Sequence, residues 1–243
     1  MPVHSIRGGY ANTYLIEDGD SCVAVDVGTA AAASRILQYF NRRSLDTSRL
    51  KLVTATHFHI DHVAGISRLV DLFPEIEVCF FKTVGEYLKR KSKLCLISPS
   101  LWLNRLTVFM ALDGHIRNTV AALVSDRVGI PLPVLRTWLP SRYHAACILC
   151  EGQPVPYLPH WELIATPGHT TDSVCFYNRQ EKTLLTGDTI LSTGGRCKLN
   201  SFCCDRTAIK GSFQRLLPLT VAHIYPGHGT PLNNLGGLGA IDQ

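Results

Sequence analysis

The 243-residue sequence has no unbroken run of the ~18 apolar residues that a membrane-spanning helix requires. The nearest stretch, residues 94–112, is interrupted by Pro99, Asn104 and Arg105. A helical span is thereby excluded, and peripheral membrane contact stays open. The opening Met-Pro-Val-His-Ser-Ile-Arg lacks the apolar core and small-residue cleavage site of a signal peptide, so the expectation is a soluble, unsecreted, cytoplasmic protein. No low-complexity tract is present, and with 46% hydrophobic and 18% charged residues the chain can bury a sizeable core rather than remain disordered. No Gly-x-Ser-x-Gly elbow occurs, which removes one common route to a serine nucleophile. A second CxxC is also missing. Cys147-Ile148-Leu149-Cys150 stands alone with apolar residues between its sulfurs, so a structural zinc or redox site there is disfavoured. The nine cysteines are odd in number in a chain too large to need staples, which suggests free thiols in a reducing cytosol. Neighbouring Cys203 and Cys204 cannot bond each other without strain, and no chemistry is assigned to them.

Charge is present but unevenly placed. Residues 81–150 carry ten Lys or Arg against three acids, a balance of +7 where the whole chain has +5. The basic character therefore belongs to one region, and it suggests an anionic substrate or surface. Nucleic acid is a poor fit, because the Lys89 to Lys93 cluster has no interleaved aromatics of the kind that stack on single strands.

Short strands are predicted over residues 3–6, 14–17, 22–27, 51–55 and 77–81, with helices over 30–40, capped by Thr29, and over 64–72. Strands resume at 162–165, 173–177, 183–185 and 222–225, the last preceded by a helix around 212–217. This alternation argues for a layered α/β domain. Between about 82 and 152 the pattern changes: helices are expected over 101–112 and 115–128, followed by repeated prolines. The chain reads as a single domain, 1–243, with a basic, mainly helical insert at about 82–152.

Four segments place His or Asp in turns directly after apolar strands, where a rigid scaffold can aim side chains into one cleft. They are Thr56-His57-Phe58-His59-Ile60-Asp61-His62, Pro167-Gly168-His169, Thr186-Gly187-Asp188 and Pro226-Gly227-His228-Gly229. Imidazole nitrogens and carboxylate oxygens are zinc's usual donors besides sulfur. Alternate residues of an extended segment point the same way, so His57 and His59 can hold one ion, while Asp61 and His62 fall past the bend. Seven donors exceed one tetrahedral ion and suit two divalent ions sharing a carboxylate. Any one histidine taken alone is more often a structural or surface group, and His4, His115, His144, His160 and His223 are left in that class.

The ordered set HxHxDH, PGHT, TGDT and PGHG resembles the metallo-β-lactamase superfamily over most of the chain apart from the insert. The resemblance implies a four-layer αββα sandwich. It also implies that His57, His59 and His169 hold a first metal, that Asp61, His62 and His228 hold a second, and that Asp188 bridges them. Asp26 resembles the family's early strand-end aspartate, with a supporting role beside the metals or an ordinary turn both open. Two adjacent cations lower the pKa of a bridging water from ~15.7 toward ~7. The implied nucleophile is thus a hydroxide oriented by Asp61. Zinc is favoured, because relatives with diiron redox chemistry carry a glutamate at the position of His59, although manganese and iron accept the same donors. Glyoxalase II and the nuclease branch are disfavoured, since only fifteen residues follow His228. The expected function is metal-dependent hydrolysis of a small ester, thioester or lactone, anionic or acyl-bearing. The alternatives are a phosphodiesterase and a non-catalytic metal-binding regulatory protein. The 107-residue step from His62 to His169 gives the insert room to act as a lid, or to form a homodimer contact.

Overall fold

Successive side chains of a strand point to opposite faces, and several strands of this chain are apolar on both. In β3 (Ser21–Val25), Cys22 and Ala24 enter one core cluster while Val23 and Val25 enter another. In β10 (Val174–Asn178), Val174 and Phe176 join that second cluster and Cys175 and Tyr177 a third. Such strands must be covered on both sides. The computed structural model of the chain, which describes residues 2–88, 91, 92, 95 and 147–241, shows how.

The first sheet has the order β1 (Val3–Ile6), β2 (Thr13–Asp18), β3, β4 (Leu50–Thr54), β5 (Glu77–Val78). The second has the order β14 (His223–Pro226), β11 (Thr183–Gly187), β10, β9 (Leu158–Ala165), β8 (Pro154–Val155). Between the two sheets lie Tyr14, Val23, Leu52, Trp161 and Phe176. On the outer face of the first sheet sit α1 (Ala30–Arg42) and α3 (Ile66–Leu72), burying Ile36, Phe40, Ile66 and Leu69. On the outer face of the second sits α5 (Arg206–Leu216), with Ile209, Phe213 and Leu216 at helical spacing. These four layers are the expected αββα sandwich.

Thr29 caps α1 as predicted, its Oγ1 accepting from Ala32 N at 3.0 Å. The helix expected at 212–217 begins instead at Arg206, because Asp205 caps it and its polar first turn shows no apolar period. A hairpin of β12 (Ile190–Thr193) and β13 (Arg196–Leu199) was not anticipated; its turn, Gly194-Gly195, has φ of 60° and 76°. The strand expected at 77–81 divides: β5 stays in the first sheet, and β6 (Phe80–Phe81) pairs in parallel with β7 (Ile148–Leu149). From there α4 (Lys82–Leu88) opens the insert, whereas the helices expected at 101–112 and 115–128 lie outside the described residues. Among the described residues no helix is long and apolar enough to cross a membrane.

The cysteine expectation needs correction. Disulfides join Cys79 to Cys147 and Cys95 to Cys204, leaving Cys22, Cys150, Cys175, Cys197 and Cys203 free. Pairs 68 and 109 residues apart are invisible to local spacing, and the CxxC sulfurs do not pair with each other.

Candidate metal centre

β3 runs parallel to β4, and β11 to β14, so each pair ends its strands at the same edge of its sheet. The two edges are stitched together. Val174 N donates to Thr56 O (2.8 Å), Asn12 N donates to Gly227 O (2.7 Å), and the Tyr14 hydroxyl donates to Pro226 O (2.6 Å). Around this seam the chain places all seven predicted donors. Asp61 and His62 lie in α2 (Ile60–Val63), a single turn past the bend. His169 lies in the turn between β9 and β10, and Asp188 and His228 follow β11 and β14. One detail differs from expectation: β4 ends at Thr54, so His57 and His59 converge through a bend rather than through strand pleat.

His59 Nδ1 is 3.1 Å from His57 Nε2 and 3.0 Å from His169 Nε2. The far nitrogens of two of these rings face carbonyls: His59 Nε2 donates to Cys95 O (3.2 Å) and His169 Nδ1 to Phe202 O (2.7 Å). A neutral imidazole has one proton, so both inward nitrogens present lone pairs to each other. Only a cation or a proton satisfies that arrangement. His57 Nδ1 lies 3.2 Å from Thr56 Oγ1. Burial pushes the pKa of all three rings down, with further lowering from histidine neighbours; that of His169 falls to about 4.

The second group behaves differently. His62 Nε2 is 3.5 Å from Asp188 Oδ1 and 3.8 Å from Asp61 Oδ2. His228 Nε2 is 3.3 Å from Asp61 Oδ2 and 3.4 Å from Asp188 Oδ2, which also lies 3.4 Å from His169 Nε2. Asp188 thus faces both groups, with Oδ1 toward His62 and Oδ2 between His169 and His228. Burial alone would lower His62, but Asp26, Asp61 and Asp188 outweigh it and raise it to about 9; Asp188 and Asp61 likewise raise His228. Against the effect of burial, His62 and His228 hold both Asp61 and Asp188 well below the usual carboxylate range. His62 Nε2 and Asp188 Oδ1 are buried with no hydrogen-bond partner, a costly state that a bound cation relieves. The donor set therefore fits two metal ions, and each of its three triplets, His57/His59/His169, His57/His62/Asp188 and Asp61/His62/His228, has its donor atoms within 4.8 Å of one another.

Asp26 settles into the supporting role rather than the ordinary turn. Fully buried with φ 59°, it accepts from Thr56 N (2.7 Å) and Thr56 Oγ1 (2.9 Å), and its Oδ2 lies 3.1 Å from His62 Nδ1. His228 Nδ1 lies 3.3 Å from Tyr10 O. Sequence reasoning missed Asn200, which donates to Asp188 O at 2.9 Å, and Asp172, whose Oδ2 accepts from Phe58 N at 2.7 Å. Asp172 was within reach, three residues past His169; backbone partners such as Cys95 O carry no sequence signal.

The family model described as the Metallo-beta-lactamase superfamily matches residues 6–94 and 153–228. The chain belongs to the metallo-β-lactamase superfamily. The unmatched interval, 95–152, lies within the segment expected from the sequence to be an insert. Among curated relatives, an atrochrysone carboxyl ACP thioesterase of Aspergillus fumigatus is 22% identical over 92% of this chain and 52% of its own. A beta-lactamase-like protein 2 homolog of Caenorhabditis elegans is 24% identical over 92% of this chain and 57% of its own. The chain thus spans about half the length of these relatives. Among solved structures of the superfamily fold, the di-iron-bound form of TTHA1623 matches with TM-score 0.62 and 22% identity, covering 100% of this chain and 98% of that one. The BLEG-1 B3 metallo-beta-lactamase matches with TM-score 0.60 and 20% identity, covering 96% and 94%.

Proposed function

We propose that this chain is a metal-dependent hydrolase of a small ester, thioester or lactone, with two zinc ions held by His57, His59, Asp61, His62, His169, Asp188 and His228. The observation that carries the reading is the facing pair of lone-pair nitrogens, His59 Nδ1 and His169 Nε2, 3.0 Å apart with their protons committed to carbonyls. Bound there, divalent cations would supply an activated water at neutral pH and a Lewis acid for the attacked carbonyl oxygen. His57 Nε2, His59 Nδ1 and His169 Nε2 would hold the first ion. Asp61, His62 Nε2 and His228 Nε2 would hold the second, with Asp188 shared.

The chain's own residues orient the reactants. The Asp61 side chain is 16% exposed against 9% for Asp188, so it is the more accessible of the two carboxylates. Its Oδ2 is turned to His228, which leaves Oδ1 to accept a proton from the attacking water. The +7 balance of the insert favours an anionic substrate, and the thioesterase name of the Aspergillus relative favours an acyl thioester among the three classes. Histidine and carboxylate donors suit zinc, and the iron held by TTHA1623 makes iron the second reading.

Metal analysis combined with turnover of aryl esters, acyl thioesters, lactones and phosphodiesters tests this. The expected result is two ions per chain and acyl hydrolysis that His59→Ala abolishes. Retained metal with no turnover of any substrate would overturn the hydrolase reading, and turnover of diesters alone would replace it with a phosphodiesterase.

A further inference from the structure

Asp172 is a fully buried carboxylate outside the seven donors, and its burial lifts its pKa. A charge removed from water is retained at a cost of several kcal/mol unless it is paired or well hydrogen-bonded. No cation pairs with Asp172 among the described residues; besides Thr170 and its own amide within the turn, its partners are neutral donors from two other parts of the chain. Oδ2 accepts from Phe58 N at 2.7 Å, the amide between His57 and His59. Oδ1 accepts from the Tyr87 hydroxyl at 3.1 Å, and that hydroxyl also meets Thr171 Oγ1. Tyr87 belongs to α4, the helix that opens the insert, whereas Asp172 itself lies in the turn that carries His169.

We propose that Asp172 is a positioning residue that clamps the His57–His59 bend to the His169 turn, and that Tyr87 ties the root of the insert to this clamp. The inference rests on the metal-centre reading above. The His59 Nδ1 to His169 Nε2 separation spans the two segments that Asp172 joins, so their spacing depends on a bond made outside the centre itself. A charged acceptor makes that amide bond about twice as strong as a neutral one would. The two hydrogen-bond partners of the Tyr87 hydroxyl, Asp172 Oδ1 and Thr171 Oγ1, both lie in the turn that carries His169, so Tyr87 acts on the donors through that turn.

The test uses Asp172→Ala, Asp172→Asn, Tyr87→Phe and the Ala/Phe double variant of the full chain, each stripped of metal and titrated with zinc against a chromophoric chelator. Asp172→Ala is expected to weaken zinc binding on the order of 10-fold, the lower end of losses seen when outer partners of metal ligands are removed. Asp172→Asn, whose amide oxygen still accepts from Phe58, is expected to restore most of that loss. Tyr87→Phe alone gives a smaller loss, and the double variant loses less than the two single losses combined, since the two residues share one clamp. If Asp172→Ala does not fold, Asp172→Ser, polar but too short for the Phe58 amide, is read in its place. Zinc affinity equal to wild type, with only a lower melting temperature, overturns the proposal and leaves Asp172 a structural residue. Failure of the hydrolase reading is a separate outcome: it shows as zinc binding without turnover in the wild type, and the affinity differences among variants stand regardless.

Discussion

Gly227 offers a sharp test of the packing around Asp188. Its φ lies outside the left-handed region, so alanine meets no backbone penalty there. The space is another matter. An added Cβ would stand 2.3 Å from Asp188 Oδ1, 2.9 Å from Gly187 C and 3.0 Å from His62 Cε1. The loop cannot simply withdraw, because Gly227 N donates to Gly187 O and Gly227 O accepts from Asn12 N, both at 2.7 Å. The carboxylate must therefore give way by about 1 Å to reach ordinary contact distance, taking with it the oxygen that faces His62. Overpacking of this kind costs about 1–3 kcal/mol. In the metal-free protein Asp188 can swing aside but the Gly187 backbone cannot, so the cost is divided between the fold and, because a bound ion needs the oxygen back, metal affinity. Gly227→Ala should then weaken zinc binding about 5- to 150-fold in chelator competition. The melting temperature of the metal-free protein should fall modestly, and the rise produced by zinc should shrink as well. A variant with a lowered metal-free melting temperature and undiminished zinc affinity would refute the reasoning.

Three further outcomes follow from the site. His59→Ala should lower zinc affinity by more than about 100-fold, the upper end of losses from its outer partners alone, and a smaller loss measured by dialysis against chelator would remove His59 from the centre. At pH 7 the metal-free protein keeps protons on His62, raised to about 9, and on His228, but not on His57, His59 or His169. An ion entering the second group must displace two protons, so its apparent affinity should climb about 100-fold per pH unit between 6 and 8. The first group's affinity should stay nearly flat over that range; calorimetric titrations in buffers of different ionisation enthalpy would count the protons, and two pH-independent affinities would contradict the assignment. Finally, a thiol reagent applied to the denatured, unreduced protein should find five reactive cysteines, and nine after reduction. Nine before reduction would reject both disulfides.

The layers and the clustering of the seven His and Asp side chains were legible because both depend on local pattern. Continuously apolar strands such as Ser21–Val25 announce a sheet buried on both faces, and a His or Asp directly after a strand announces where that sheet points its loops. What stayed hidden was relational. Cys79 and Cys147 are 68 residues apart, and only the pairing of β6 with β7 makes them neighbours. The carbonyls of Cys95, Phe202 and Tyr10 help fix the orientation of three imidazoles, yet any residue could supply a carbonyl. Asp26 lay between two readings because its meaning depends on φ 59° and on His62 standing 3.1 Å away, and neither is written in Val25-Asp26-Val27.

The pairing of β6 with β7 also bears on how this architecture can be altered. Chain that leaves after Phe81 returns at Cys147, whose Cα stands 4.6 Å from that of Cys79, so the excursion departs and arrives at a single hem of the sheet. The entropy of closing such a loop grows only logarithmically, by about 0.6 kcal/mol for each doubling of length. Its far portion can therefore be shortened, lengthened or exchanged for another sequence at small cost to the sandwich, provided Tyr87 and Cys95 keep their moorings on Asp172 and Cys204. Sandwich and excursion become separable parts, and the segment between them could be exchanged without moving any of the seven clustered side chains.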